Sequence, residues 1–275
     1  ERRDQATPKF PPDLIPEGRI YVGEVCVFPS LFAHIEFNAV AILSRRHHLK
    51  LNEFTPQLLQ DVFKAGLIFF NAILRAKPDV KYATLIFNYL PPAGSSIIHP
   101  HAQMMASDLP FNLTQGLLKL SREYYEKHKV NYWRELIEKE RDKGDRYLGR
   151  IGSVEWFVPF APTRYHEVRA VVSHKSNFME FDQNDWNGLA EGMSRILRYY
   201  GDEKLSSFNT AIYSGPLGEG LNHFWAGLQM VARPGFQPLY LNDTWSLPYL
   251  LQEGEIFEAP EVLASSMRRY FNSSV

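Results

Sequence analysis

The sequence predicts an α+β fold in which one unit of strands and a helix occurs twice along the chain. Apolar runs of strand length alternate with longer stretches whose apolar residues recur at helical spacing. The order of strand, capped helix, strand, small-residue turn and glutamine-bearing strand appears in both halves. The 275 residues are 45% hydrophobic and 14% aromatic, which is enough for a large packed core.

The first copy of the unit opens with the apolar strand 37–44, which ends in a polar turn over 45–48. Thr55 occupies an N-cap position and Pro56 the first helical position of the helix that follows. The apolar residues of this helix are Leu58, Leu59, Val62, Phe63, Leu67 and Phe70. A strand over 82–88 and a small-residue turn over 94–96 then lead to a strand that carries two histidines.

The second copy repeats this order. A strand over 167–172 precedes a helix that Asp182 caps, and a strand over 207–213 leads through a glycine-rich turn to a last strand over 225–232. The apolar residues of the helix are Trp186, Leu189, Met193, Ile196 and Leu197.

The two copies can be aligned on their last strands. Placing Gln229 on Gln103 puts Gly227 opposite His101 and Trp225 opposite His99. The strand-end serines, Ser44 and Ser173, then lie at nearly equal spacing from these positions. Because the second copy has no histidine there, we expect the first copy to do the chemistry and the second to support it.

A charge-rich segment over 111–150 separates the copies, and its pattern is typical of one long or two shorter amphipathic helices. We therefore divide the chain into an N-terminal unit over 1–110 with the histidine motif, a helical insert over 111–150, and a C-terminal unit over 151–275 without the nucleophile. The tail from residue 236 has mixed polar and aromatic character, with a helix predicted over 260–270.

The motif His99-Pro100-His101-Ala102-Gln103 carries the strongest functional signal. In an extended chain His99, His101 and Gln103 share one face, because side chains alternate with period two. Imidazole is nucleophilic at neutral pH, and the preceding Gly94-Ser95-Ser96 turn lets a phosphate approach the backbone. On residue types alone, a structural metal clamp or a surface pair is an equally good interpretation.

Charge and cysteine content exclude several classes. The net charge is −1 and no long like-charge block occurs, so nucleic acid is not an expected partner and an anionic ligand needs local donors. Cys26 is the single cysteine, which excludes an intrachain disulfide and suits a reducing compartment. No run of about 18 apolar residues predicts a membrane span, and the first residues do not resemble a signal peptide. We expect a cytoplasmic protein without a membrane partner.

With the strand 26–32 and the pair Pro159-Phe160, the motif resembles the galactose-1-phosphate uridylyltransferase-like branch of the histidine-triad superfamily. That branch lies near the ADP-glucose and dinucleoside-tetraphosphate phosphorylases. The likeness covers about residues 23–234. It implies two fused repeats, each an antiparallel sheet with a packed helix, and a homodimer.

The resemblance also implies roles for individual residues. His101 is the nucleophile that becomes nucleotidylated, and His99 orients it. Gln103 and Ser96 hold non-bridging phosphate oxygens. The substrate-binding set is completed by Asn88, Ser95, Phe28 and Leu31, the last two within a segment over 28–32 that lines the base pocket.

The implied activity is ping-pong transfer of UMP or AMP between a nucleoside-diphosphate sugar and a phosphate or sugar 1-phosphate. The alternatives are an ADP-glucose or dinucleoside-polyphosphate phosphorylase, a hydrolase, and a non-catalytic nucleotide-binding protein. The intact His-Pro-His-Ala-Gln motif favours an enzyme, because binding alone does not need His101.

Two departures from the family pattern concern metal and sugar. Some members bind zinc through Cys-x-x-Cys, a later histidine and the first motif histidine; here His47 and His99 match, but no Cys-x-x-Cys exists. Two of four expected zinc ligands are therefore absent, and no cofactor is certain.

A second metal site of some members uses a His-x-His in the second half, and the corresponding positions here are Gly227 and Gln229. The Tyr-Glu pair that holds hexose has Tyr249-Leu250 as its nearest match, so galactose is not specifically indicated.

Overall fold

The structure, a computed structural model, describes residues 7–233 and 245–272. Ten strands in these ranges form one antiparallel sheet. In chain order they are β1 Ile20–Val22, β2 Val25–Pro29, β3 Phe37–Ile42, β4 Tyr82–Tyr89, β5 His101–Ser107, β6 Tyr147–Ile151, β7 Val154–Phe157, β8 Val168–Val172, β9 Ser207–Tyr213 and β10 Gly227–Arg233. Their spatial order is β1-β2-β3-β5-β4-β9-β10-β8-β7-β6.

This order confirms the two fused repeats. The first five strands fill one half of the sheet and the last five fill the other in mirror order about the β4–β9 pair. Leu85 lies opposite Ile212 in that central pair. The predicted α+β class is therefore confirmed, with the sheets of the two repeats joined edge to edge.

The sheet register also confirms the alignment of the two copies. Ile42 of β3 lies opposite His101, and Val171 of β8 lies opposite Gly227. Ile42 precedes the strand-end Ser44 by two residues, as Val171 precedes Ser173. Gly227 is therefore the structural equivalent of His101.

The helices in the described ranges are α1 Pro56–Ala76, α2 Asn112–His128, α3 Tyr132–Lys143, α4 Gln183–Asp202, α5 Ser246–Leu250 and α6 Pro260–Asn272. Both predicted caps are present. Thr55 Oγ1 accepts from the Leu58 N–H at 3.3 Å, and Asp182 Oδ1 accepts from the Asn184 N–H at 2.8 Å. These caps satisfy amide groups that would otherwise lack partners at the helix starts.

Helices α1 and α4 cover one face of the sheet and enclose the main core. Phe63 of α1 contacts Trp186 of α4 with ring centroids 5.6 Å apart. Helix α1 is long and apolar enough to cross a membrane, yet 50% of its most apolar window is buried within the protein. Its buried half packs against the sheet and α4, as in the core helix of a globular protein, and it is the one helix in the described ranges that meets this test.

The insert contains two helices, α2 and α3, and the boundary predicted at residue 150 falls inside strand β6. The strands β8 and β10 begin at Val168 and Gly227, later than the sequence pattern predicts. Helix α6 contains the helix predicted over 260–270, while the first part of the predicted tail, 236–244, lies outside the described residues.

Candidate active site

The histidine motif lies where β3 ends and β5 begins, and its functional side chains face away from α1 and α4. Ala102, Met104 and Ala106 point into the core between sheet and helices, so His101 and Gln103 point to the other face. Strand β5 begins at His101, so His99 precedes the strand that was predicted to carry it. Pro100 explains the shift, because it has no N–H to donate to the ladder, although its carbonyl accepts from the Leu43 N–H at 3.1 Å.

One hydrogen bond fixes the tautomer of His101. Its Nδ1 lies 2.9 Å from the backbone carbonyl oxygen of His99. Because a carbonyl only accepts, Nδ1 carries the proton and Nε2 keeps its lone pair. Burial, opposed by the bond to His99, lowers the pKa of His101 below its ordinary value of 6.5. At neutral pH this imidazole is therefore uncharged and has one nucleophilic nitrogen.

A second chain of hydrogen bonds fixes His99. Its Nε2 lies 2.9 Å from the Ser44 carbonyl oxygen, and its Nδ1 lies 3.0 Å from Nδ1 of His47. The Ser44 carbonyl requires a proton on Nε2 of His99, and with that tautomer Nδ1 of His99 accepts from Nδ1 of His47. The ring of His99 is thereby held, and its main-chain carbonyl is held toward His101.

The turn between β4 and β5 is built from residues with unusual backbone angles. Leu90 has φ of 68° and Gly94 has φ of 80°. Such a conformation is strained for leucine, and strain of this kind is concentrated at functional sites. Ser95 Oγ donates to the Ile97 carbonyl at 2.6 Å, so this hydroxyl stabilises the turn, while Ser96 is exposed beside it.

Gln103 and Asn88 share the face of His101. Gln103 lies opposite Val40 on one side and Ile86 on the other, and its amide has no hydrogen-bond partner within 7–233 and 245–272. Asn88 accepts from Asn209 Nδ2 at 2.7 Å. Both side chains are partly exposed, so each can reach a ligand beside His101.

The predicted base-pocket segment is divided between two environments. Phe28 is buried and lies on the same face as Gln103, two strands away or about 10 Å in the sheet. Leu31 follows β2 and is 67% exposed, and Phe32 is 83% exposed. The segment is placed beside the motif, and its contact with a base stays a prediction.

The zinc site of some family members needs four ligands, which these residues do not supply. His47 and His99 are adjacent, but the described residues contain no group of three histidine, cysteine, aspartate or glutamate side chains suited to a metal. A structural zinc is almost always four-coordinate. The donor set of the described residues therefore does not fit that group.

The equivalent face of the second copy is closed. The insert helix α3 covers it with Trp133, and the apolar cluster beneath also contains Ile137, Phe157, Val171, Tyr213, Phe224 and Trp225. A Cβ at Gly227 would lie 2.8 Å from the Tyr213 hydroxyl and would also overlap the Ala170 carbonyl oxygen. Gln229, the equivalent of Gln103, donates to the buried Glu167 at 3.0 Å. The second copy therefore has neither a nucleophile nor a free amide at these positions.

A cavity of about 630 Å³ lies between α2, α3 and the end of β7. Arg169 lines it and lies four strands from Gln103, roughly 19 Å across the sheet. This cavity is therefore separate from the histidine motif.

Two contacts of the site are not signalled by the sequence. The Ser44 carbonyl holds His99, and Asn209 holds Asn88 from the other half of the chain. The sequence pattern marks Ser44 only as a strand end, and Asn209 lies 121 positions from Asn88. No local spacing signals such a contact, because it depends on β4 and β9 pairing at the centre of the sheet.

A relative of this chain is found in an archaeon. An uncharacterized protein of Archaeoglobus fulgidus is 31% identical over 275 residues, which is 99% of this chain and 80% of that protein. No family model matches the chain.

Several solved structures share the fold. A uridylyltransferase mutant superposes with a TM-score of 0.79 at 17% identity, over 92% of this chain and 89% of its own. A GalT-like protein of Arabidopsis thaliana gives 0.78 at 19% identity, over 97% and 89%. An ADP-glucose phosphorylase of the same plant, with bound ADP-glucose, gives 0.76 at 19% identity, over 100% and 94%. The chain thus belongs to one family with the Archaeoglobus fulgidus protein, and it shares its fold with the uridylyltransferase, the GalT-like protein and the ADP-glucose phosphorylase.

Proposed function

We propose that this protein is a nucleotidyltransferase that works through a covalent nucleotidyl-histidine on His101. The observation that supports this most is the 2.9 Å hydrogen bond between His101 Nδ1 and the His99 carbonyl. It leaves Nε2 as the nucleophilic nitrogen, on the face where Gln103 and Asn88 also point. A histidine that binds a metal can be oriented by the same kind of bond, but the described residues contain no group of three side chains suited to a metal.

In the first step, Nε2 of His101 attacks the α-phosphorus of a nucleoside-diphosphate derivative. A P–N bond forms, the bond to the bridging oxygen breaks, and the leaving phosphate departs with that electron pair. The imidazole becomes a cation, and its Nδ1–H bond to the His99 carbonyl stabilises the charge. Charge spreads over the non-bridging oxygens, where fixed donors are most effective.

In the second step, an oxygen of an acceptor phosphate attacks the same phosphorus. The P–N bond breaks, its electron pair returns to Nε2, and His101 is neutral again. The acceptor is a sugar 1-phosphate in a transferase and inorganic phosphate in a phosphorylase. The nucleotide sugar is the donor that we propose, because one protein of this fold holds ADP-glucose.

We take the donors for the phosphate from the first half of the sheet, which carries the histidine motif. Gln103 supplies an amide without another described partner, and Asn88 and the exposed Ser96 lie at the same end of the sheet. Since the net charge is −1, such local donors must hold the anion. We place Phe28 and Leu31 next to the base.

The direct test is intact-mass spectrometry after incubation with UDP-sugars, ADP-glucose and dinucleoside polyphosphates. We expect an acid-labile added mass of UMP or AMP, which also identifies the base. His101→Gly should abolish both the adduct and turnover. His174→Gly is the matched control, because His174 belongs to the second copy and has φ of 64°, which glycine tolerates.

The outcomes separate the alternatives. An adduct that passes to sugar 1-phosphate indicates a transferase, one that passes to inorganic phosphate a phosphorylase, and one that decays in water a hydrolase. Nucleotide binding without an adduct from any donor would instead support a non-catalytic binding protein. Wild-type turnover by His101→Gly would overturn the proposal. The homodimer stays a prediction, which light scattering in solution tests.

A further inference from the structure

The centre of the sheet brings one residue of the second copy to the candidate site. Asn88 of β4 lies directly opposite Asn209 of β9. Both lie on the face of the sheet away from α1 and α4, because Phe87 and Phe208 beside them are buried in the core under those helices. Asn209 is therefore next to a residue that we place at the nucleotide.

Asn209 makes two hydrogen bonds with one amide nitrogen. Its Nδ2 lies 2.8 Å from the Ala93 carbonyl oxygen and 2.7 Å from Oδ1 of Asn88. A backbone carbonyl only accepts, so the atom of Asn209 that faces Ala93 must be the NH₂ group. The second hydrogen of that NH₂ then points at Asn88, which must present its oxygen.

These hydrogen bonds together fix the polarity of Asn88. With Oδ1 facing Asn209, its NH₂ group faces away from Asn209 and has no partner among residues 7–233 and 245–272. An amide that could rotate freely would have to be ordered with its nitrogen toward the phosphate on binding, which costs free energy. An amide held in this way presents a donor, which is the polarity that an anion requires.

The second copy also holds the turn that precedes Gly94. Asn209 binds the Ala93 carbonyl, and Arg233 Nε donates to the Pro92 carbonyl at 3.1 Å. The turn 91–93 leads directly into the segment 94–96 beside the histidine motif. Two side chains of the copy without a nucleophile therefore fix the loop of the copy that has one.

We propose that Asn209 is a positioning residue that orients the Asn88 amide so that its NH₂ group donates to the nucleotide phosphate. This inference rests on the proposed function only in placing the phosphate near Asn88. The second copy thereby gains a defined role, since its central strand sets the polarity of a donor in the first copy.

A double-mutant cycle tests whether Asn209 acts through Asn88. Binding of ADP and UDP is measured by calorimetry for the wild type, Asn88→Ala, Asn209→Ala and the double variant. Removal of one donor to a charged group should weaken binding by about 10-fold to 100-fold for Asn88→Ala. We expect Asn209→Ala to weaken it by about 2-fold to 10-fold, because the freed Asn88 amide must be ordered on binding. The double variant should be no weaker than Asn88→Ala. Independent effects that multiply in the double variant would overturn the proposal.

Asn209→Asp tests the polarity directly. A carboxylate only accepts, so it would draw the NH₂ of Asn88 toward itself and turn Oδ1 to the phosphate. We expect binding at least as weak as in Asn209→Ala, and we expect this loss to disappear when Asn88 is already alanine. A loss that persists in the Asn88→Ala background would show simple charge repulsion and refute the mechanism. Wild-type binding by Asn209→Asp would refute it too.

Asn71→Ala is the matched control. Asn71 donates to the Leu67 carbonyl at 2.9 Å within α1, on the other side of the sheet. It should leave nucleotide binding unchanged, and thermal unfolding of each variant checks that the fold persists. A loss of binding in Asn71→Ala equal to that in Asn209→Ala would show that the effect is general destabilisation, which would overturn the proposal.

Failure of this inference is distinguishable from failure of the proposed function. Coupled asparagines in a protein that binds nucleotide but forms no His101 adduct would support the positioning role and reject the transferase. A His101 adduct in a protein whose Asn88 and Asn209 substitutions act independently would support the transferase and reject the positioning role. A wild type that binds neither ADP nor UDP and forms no adduct from any donor would overturn both.

Discussion

Gly227→Ala tests whether the second copy is closed at the position equivalent to the nucleophile. A Cβ there would overlap the Ala170 carbonyl oxygen and lie 2.8 Å from the Tyr213 hydroxyl. The carbonyl belongs to β8, which is paired with both β10 and β7, so it cannot rotate away. Relief of the overlap therefore requires a backbone shift in a central part of the sheet.

The expected magnitude follows from two opposing effects. Overpacking a core costs about 1–3 kcal/mol, and the rigid neighbour places this site near the upper end. Replacement of glycine by alanine within a strand returns about 0.5–1 kcal/mol of unfolded-state entropy. We therefore expect Gly227→Ala to lower the free energy of unfolding by about 2 kcal/mol.

Equilibrium urea unfolding is the assay, with Gly116→Ala as the matched control. Gly116 lies inside α2, and a Cβ there meets no atom within 4 Å. Helix propensity alone should then stabilise that variant by about 1 kcal/mol. Replacement of glycine by alanine should thus lower the free energy of unfolding at Gly227 and raise it at Gly116. A Gly227→Ala protein as stable as the wild type would refute the conclusion that this position excludes a side chain.

Further predictions concern the chemistry and the scaffold. Gln103→Ala should lower the rate of adduct formation by about 10² or more in single-turnover assays, because one donor to the developing charge is lost. Since burial lowers the pKa of His101 and the neutral form attacks, the acid limb of the pH–rate profile should have its midpoint below 6.5; a midpoint above that value would contradict the environment described for His101. Asp182→Ala should destabilise the protein by about 1 kcal/mol in urea unfolding, because α4 loses its N-cap, and an unchanged midpoint would show that the cap is dispensable.

Local sequence signals located most of the fold. Cap residues marked the starts of α1 and α4, because Thr55 and Asp182 satisfy helix amides from the adjacent chain. The predicted strand 207–213 matches β9. The errors were at strand boundaries. Strands β8 and β10 begin later than predicted, and the strands predicted over 26–32 and 37–44 end at Pro29 and Ile42, because ladder pairing with a distant strand sets where a strand begins and ends.

Part of the candidate site could likewise be predicted from local sequence, and part could not. The alternation along His101, Ala102 and Gln103 follows from strand geometry, and it placed two of the proposed groups on one face. The tautomer of His101 did not follow from the sequence, since it depends on the path of the chain at the His99 carbonyl. The sequence shows that the second copy has glycine, Gly227, in place of the nucleophile. It does not show that Trp133 of α3 covers this face of the second copy.

The repeated unit, the histidine motif and the identity of the copy that carries this motif all follow from residue patterns along the chain. These features are local, since they depend on period, capping and residue type within one stretch of chain. The tertiary structure decided which polar groups meet: Ser44 with His99, Asn209 with Asn88, and α3 with the empty face of the second copy. Such contacts join residues far apart in the chain. The first depends on the pairing of β3 with β5, and the second on the pairing of β4 with β9, which joins the two repeats into one sheet.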